Sequence, residues 1–166
     1  MKLDYEIGCV ANKLTEFSKQ VRKLDLQKQV STIGHIPSLL RCQIKNEEAT
    51  LTEIALLLID TQKFYNVKNG LSEDMLYMVA ELILGEYKQF NMYDIGLCLK
   101  MGKIGKFGKV YERLDGGTIM DWFAQYNKLR DDLIITQAET NHLQHKFVGT
   151  RTNEKLPFAD KINKLK

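Results

Sequence analysis

The feature that most limits what this chain can become is the near absence of proline, the residue that interrupts a helix most strongly. Only two prolines, Pro37 and Pro157, occur in 166 residues, while Leu, Lys, Glu and Gln are abundant. Proline removes a backbone donor and clashes with the preceding turn, and straight-chain residues lose little rotamer freedom in a helix. Sustained period-two alternation, the mark of a half-buried strand, is missing, and the β-branched residues are scattered through runs of helical period. The expected fold is all-α: one helical bundle with a long N-terminal heptad helix and a long C-terminal helix.

The apolar spacing divides that expectation into segments. Leu3, Ile7, Val10, Leu14, Phe17, Val21 and Leu24 follow the alternating four-three period of a coiled coil, broken at Lys28 where the next seam residue is due. Such a run suits either packing inside the same chain or a dimer seam. It nominates Ile7, Val10, Leu14, Phe17, Val21 and Leu24 as protein-interaction residues and allows a homo-oligomer. Ser31 to Pro37 reads as a turn, with Pro37 in the first turn of a new helix. Apolar positions from Leu40 to Phe64 predict one helix, or two divided at the polar stretch Asn46 to Thr50. Ser72 and Asn91 read as N-caps of helices near 73–88 and 92–100, and Asp115 as the cap of a long helix from about Gly117. Its stripe, from Ile119 through Trp122 and Tyr126 to Leu133, fades beyond Gln137. The expected division is a heptad helix over 1–30, a helical core over 37–146 and a basic arm over 147–166.

The net charge of +3 is unevenly placed. Between residues 100 and 113, Lys100, Lys103, Lys106, Lys109 and Arg113 face Glu112 alone, leaving +4, and 146–166 also sums to +4. Clustering matters more than the total, because it sets the field a ligand meets. The segment Lys100-Met101-Gly102-Lys103-Ile104-Gly105-Lys106-Phe107-Gly108-Lys109 repeats a lysine, apolar, glycine triplet. It lacks the glycine spacing and the Lys-Ser or Lys-Thr of a phosphate-binding loop, so nucleotide hydrolysis is not indicated. Two readings stay open. In one, glycine closes a helix, the apolar residues dock on the core and the lysines face solvent or the helix dipole. In the other, Lys103, Lys106, Lys109 and Arg113 contact phosphates of a nucleic acid.

Other chemistry is thinly supplied. Cys9, Cys42 and Cys98 are odd in number and widely spaced, which suits a reducing cytoplasm rather than a disulfide framework or zinc knuckle. No charged-then-apolar leader is visible, and the longest apolar run, Ile54 to Ile59, is too short to cross a bilayer, so no membrane partner is expected. His142 and His145, with Glu139, could share a helix face but read as solvated residues, so no metal and no cofactor are expected. The acids are scattered, and Asp131 and Asp132 point to different sides of a helix. Neither a nucleophile with a base nor an acid–base carboxylate pair emerges, and no catalytic residue is assigned.

The run Gly105-Lys106-Phe107-Gly108-Lys109-Val110-Tyr111-Glu112-Arg113-Leu114-Asp115-Gly116, followed by Ile119, Trp122 and Tyr126, resembles a group of small helical proteins of Bacteroidetes and their phages and mobile elements. The likeness covers about Leu51 to Arg130, Phe64-Tyr65-Asn66-Val67 included. That group is in turn loosely similar, in size and helical organisation, to phage helicase loaders. The resemblance implies a non-enzymatic adaptor in phage or mobile-element DNA replication, with a replicative helicase as protein partner and nucleic acid as a second. The other expectation is a structural or regulatory interaction protein, such as a virion component, that assembles through its heptad helix.

Overall fold

From residue 26 onward, each helix starts where a short polar side chain accepts a backbone N–H group that the first turn leaves unpaired. The computed structural model describes residues 9–31, 34–65, 70–110 and 114–150. Among them lie seven α-helices and no strand: α1 (Cys9–Lys23), α2 (Leu26–Val30), α3 (Leu39–Lys45), α4 (Glu47–Tyr65), α5 (Glu73–Glu86), α6 (Met92–Lys103) and α7 (Gly116–Thr150). The chain is all-α as expected. Asp25 caps α2, Ser38 caps α3 and Ser72 caps α5, each accepting from the backbone N–H three residues on. Asn91 accepts from Tyr93 and Asp94, while the Asp94 carboxylate accepts from Asn91 N–H, so the two close a capping box on α6. Asp115 accepts from both the N–H and the hydroxyl of Thr118 at the start of α7.

Two sequence expectations shift in detail. Pro37 stands before the cap rather than inside the first turn, because the Ser38 side chain takes the capping role. The polar stretch does divide the helix, at Asn46, whose backbone N–H bonds to Cys42 O to end α3 and whose side chain accepts from Ala49 N–H as α4 begins.

The contacts separate the chain into two units, residues 1–130 and 131–166. Within the first unit α1 packs against α4 and α6. In the first unit a continuous apolar cluster joins Phe17 and Val21 of α1, Ile54 and Leu58 of α4, Ile83 of α5, Ile95 and Leu99 of α6, and Trp122 and Phe123 of α7. Aromatic rings tie it together: Phe17 stacks on Tyr93 at 4.8 Å, and Phe90 packs against Phe123 and Tyr126 at 6.4 and 5.5 Å. In the second unit α7 reaches Thr150, and beyond Gln137 its apolar stripe fades as expected. Its described side chains from Ala138 to Leu143 are all exposed. Leu3 and Ile7, Arg113, and residues 151–166 of the expected arm lie outside the described residues.

α1 is held at both ends by charges from other helices. Val10 N–H, in its first turn, donates to the buried Glu53 carboxylate of α4 at 2.8 Å. At the other end the Lys100 ammonium of α6 donates to the carbonyls of Val21, Arg22 and Leu24 at 3.4, 2.9 and 2.7 Å. An anion at the N-terminus and a cation at the C-terminus both oppose the helix dipole. Lys13 has non-helical backbone angles, φ −139° and ψ 42°, so α1 is two short helical pieces across a kink.

Candidate functional site

Where α1, α4 and α6 meet, they leave a cleft of about 580 Å³. Phe17 and Val21 come from α1, Leu57 and Phe64 from α4, and Leu99 from α6, with Ile104 just beyond. These apolar walls carry four basic residues, Arg22, Lys63, Lys100 and Lys103, against the single carboxylate of Asp60. Gly96 sets the floor: a Cβ there would lie 2.8 Å from Val21 Cγ2, so glycine lets α1 approach α6 closely. Phe64 and Ile104, large and apolar, are exposed at the mouth. The volume matches that of ordinary ligand pockets, and apolar walls with a few convergent charges are their usual make-up.

The basic groups are not equivalent. Lys103 donates to Asp60 at 2.6 Å and lies 5.8 Å over the Phe64 ring, so its charge is paired. Lys100 is committed to the α1 carbonyls, and burial lowers its pKa against the pull of Asp25. Arg22 and Lys63 are exposed. The cleft thus presents two accessible cations beside an apolar floor.

The glycine-lysine repeat does not repeat its roles. Its first members end α6, where Gly105 N–H donates to Gly102 O at 2.8 Å and Lys106 N–H to Met101 O at 3.0 Å. That double closure is a Schellman motif, and Gly105 supplies its left-handed residue at φ 76°. Gly108 turns the chain again at φ 105°. Gly102 serves packing instead of turning: a Cβ there would fall 2.3 Å from Trp122, and its carbonyl accepts from Tyr65 Oη at 2.8 Å. Met101, Phe107 and Val110 dock on the core as expected, whereas Ile104 is exposed at the cleft. The even solvent-facing role expected of the lysines holds for Lys106 and Lys109 only. Of the four nominated nucleic-acid contacts, Lys103 is ion-paired in the cleft, Lys106 and Lys109 are exposed on the turn after α6, and Arg113 lies outside the described residues.

The heptad residues are used within the chain. Val10, Phe17, Val21 and Leu24 are buried in the core and Leu14 packs partly against it; Ile7 lies outside the described residues. Phe17 and Val21 also line the cleft, which brings two of the nominated protein-interaction residues together with Lys103.

Apolar spacing gave no hint of a buried polar network behind this surface. Gln29 Nε2 donates to Asn91 Oδ1 at 2.8 Å, and Asp94 accepts from Tyr126 Oη at 2.8 Å and from Arg130 Nε at 3.3 Å. Arg130 also lies over the Phe90 ring at 5.2 Å. Burial raises the Asp94 pKa, while Arg130, the Asn91 N–H and Tyr126 pull it down. Burial also pushes the Cys98 thiol and the Tyr126 hydroxyl well up, with Asp94 adding to both. A local signal existed, the Asn91 and Asp94 spacing of a capping box, but the partners on α2 and α7 carry none. His35, Glu139 and His142 are exposed, the side chain of His145 lies outside the described ones, and among the described residues no three potential metal ligands come together.

No protein-family model, curated protein or solved structure matches the chain. No described helix is long and apolar enough to cross a membrane. In the cleft the Thr61 hydroxyl donates to Leu57 O and the Asp60 carboxylate is paired with Lys103. What the cleft leaves accessible is an apolar floor with the cations of Arg22 and Lys63 at its edge.

Proposed function

We propose that the protein is a non-enzymatic adaptor that takes an apolar, carboxylate-bearing segment of a protein partner into the cleft between α1, α4 and α6. One observation carries this reading: exposed Phe64 and Ile104 stand at the mouth of an apolar cleft whose accessible charges, Arg22 and Lys63, are both positive. Such a cleft favours an acidic partner over a basic one by complementarity. Lys106 and Lys109, exposed on the turn that follows α6, are assigned to nucleic acid, where each would release counterions and make binding salt dependent. The setting implied by the resemblance is phage or mobile-element DNA replication in the cytoplasm, with a replicative helicase as the protein partner.

The alternative, assembly through the N-terminal heptads, would have to expose Val10, Phe17, Val21 and Leu24, which the fold buries. Peptide display against the whole protein tests the adaptor reading. Selected peptides are expected to combine an aliphatic or aromatic anchor with Asp or Glu, and to lose most of their binding to Lys63→Glu and Phe64→Ala. Selected peptides that are basic, or that bind both variants as tightly as the parent, would refute it.

A further inference from the structure

Helix α5 buries one apolar face and carries a second apolar stripe on its exposed side. Leu76, Val79, Ala80, Ile83 and Leu84 are buried. Met75, Met78 and Leu82, spaced three and four apart, share the other side and are 51%, 61% and 52% exposed. At 100° per residue they form a stripe with Asp74 and Glu81 along one edge and Glu86 along the other. α5 contains no basic residue, and Glu73 adds a further acid in its first turn. Gly85 continues the stripe with no side chain, and a Cβ there would meet nothing within 4 Å. A flexible, Met-rich apolar surface suits docking against varied side chains, and clustered apolar exposure marks interaction sites.

We propose that this face of α5 is a second docking surface, and that its occupant is a basic amphipathic helix of a partner protein, with apolar residues at helical spacing flanked by Lys or Arg. The charge decides the occupant. Asp74, Glu81 and Glu86 would repel nucleic acid, an anionic lipid surface and the same face of a second copy, while pairing with cations flanking an apolar stripe. Gly85 lets such a helix come close at the stripe's end. The surface is separate from the cleft, of opposite charge, and does not depend on the adaptor reading.

The test uses the full protein with 13C-labelled methionine methyls and a designed helical peptide carrying Leu on one face and Lys on the other. The Met75 and Met78 signals are expected to move while that of buried Met92 stays, and the same peptide with Glu for Lys is expected to leave all three unmoved. Binding should fall about tenfold in Asp74→Lys/Glu81→Lys, as expected when flanking charges are reversed, and similarly in Met78→Gln/Leu82→Gln. These side chains are exposed, so the melting temperature serves as the control. Should either pair fail to fold, Gly85→Arg, placed in open space, blocks the approach instead. Unmoved Met75 and Met78 signals, equal binding of the Glu peptide, or variants that bind like the parent would overturn the proposal. So would self-association of the parent that Met78→Gln/Leu82→Gln abolishes, which assigns the face to a second copy.

Discussion

Two glycines inside helices allow the seating of α1 on α6 to be measured. In Gly96→Ala the new Cβ would lie 2.8 Å from Val21 Cγ2 and 3.1 Å from Phe17 Cε1. Relaxed carbon contacts are about 3.5–4.0 Å, so Val21 must retreat by about 0.7 Å. It has little room to do so: Val21 and Phe17 are buried, and a β-branched side chain is stiff at χ1. Alanine gains about 1 kcal/mol in helix propensity. Overpacking a filled core costs about 1–3 kcal/mol, which leaves Gly96→Ala about 1 kcal/mol less stable than the parent. Gly85→Ala has the same propensity gain and meets nothing, so it should be more stable by about 0.5–1 kcal/mol. The two variants then differ by about 2 kcal/mol, or about 1 M in urea midpoint for the usual slope. Equilibrium urea unfolding of both gives the answer. If Gly96→Ala stabilised the protein as much as Gly85→Ala does, α1 would not be seated against α6, and the cleft would lose one wall.

Alkali and the buried ion pair give further tests. Because burial raises the Cys98 pKa, the unfolded chain loses this proton near the ordinary value of 9.0 while the folded chain keeps it. The stability it contributes is thus present below about pH 9 and lost as pH rises further, so Cys98→Ala should show a shallower decline in urea midpoint above about pH 9 than the parent. Arg130→Met removes the cation beside buried Asp94 and should cost about 3 kcal/mol. Without Arg130 the Asp94 pKa rises further, and a raised carboxyl favours the fold below its folded pKa, so this deficit should shrink on acidification. A deficit that is the same at neutral and acid pH would show that the carboxylate charge is not its cause. Gly105→Val forces a β-branched residue into a backbone at φ 76° and should cost about 1–3 kcal/mol in thermal unfolding; an unchanged melting temperature would refute the Schellman closure of α6.

Local chemistry was legible and long-range pairing was not. Ser72, Asn91 and Asp115 mark helix starts because a cap and the N–H it accepts lie within three residues of each other. The stretch from Asn46 to Thr50 reads as a division because it interrupts the apolar period, and the structure adds that Asn46 caps α4. Glu53 and Val10 are 43 residues apart, Lys100 and Leu24 are 76 apart, and Arg130 and Asp94 are 36 apart. Periodicity shows that such residues lie on helices but not which helix faces which. The lysine triplet shows the limit most clearly. Three-residue repetition suggests one role per residue type, yet α6 ends within it at Ile104, so equivalent members meet different surroundings. Lys100 closes α1, Lys103 pairs with Asp60, and Lys106 and Lys109 remain in solvent. The cleft could not be read ahead of the fold because its walls come from three segments of the chain.

The most direct measurement of the adaptor proposal is a cross-titration of two double variants, Lys63→Glu/Phe64→Ala in the cleft and Lys106→Glu/Lys109→Glu on the turn, against a display-selected acidic peptide and a short labelled oligonucleotide. The cleft variant should lose the peptide and keep the oligonucleotide. The turn variant should keep the peptide and lose the oligonucleotide, and any residual binding should have a salt slope smaller by roughly 1.5–2 for two missing phosphate contacts. If both variants bind both probes like the parent, or lose them together while remaining folded, the two surfaces are not the separate binding sites of an adaptor.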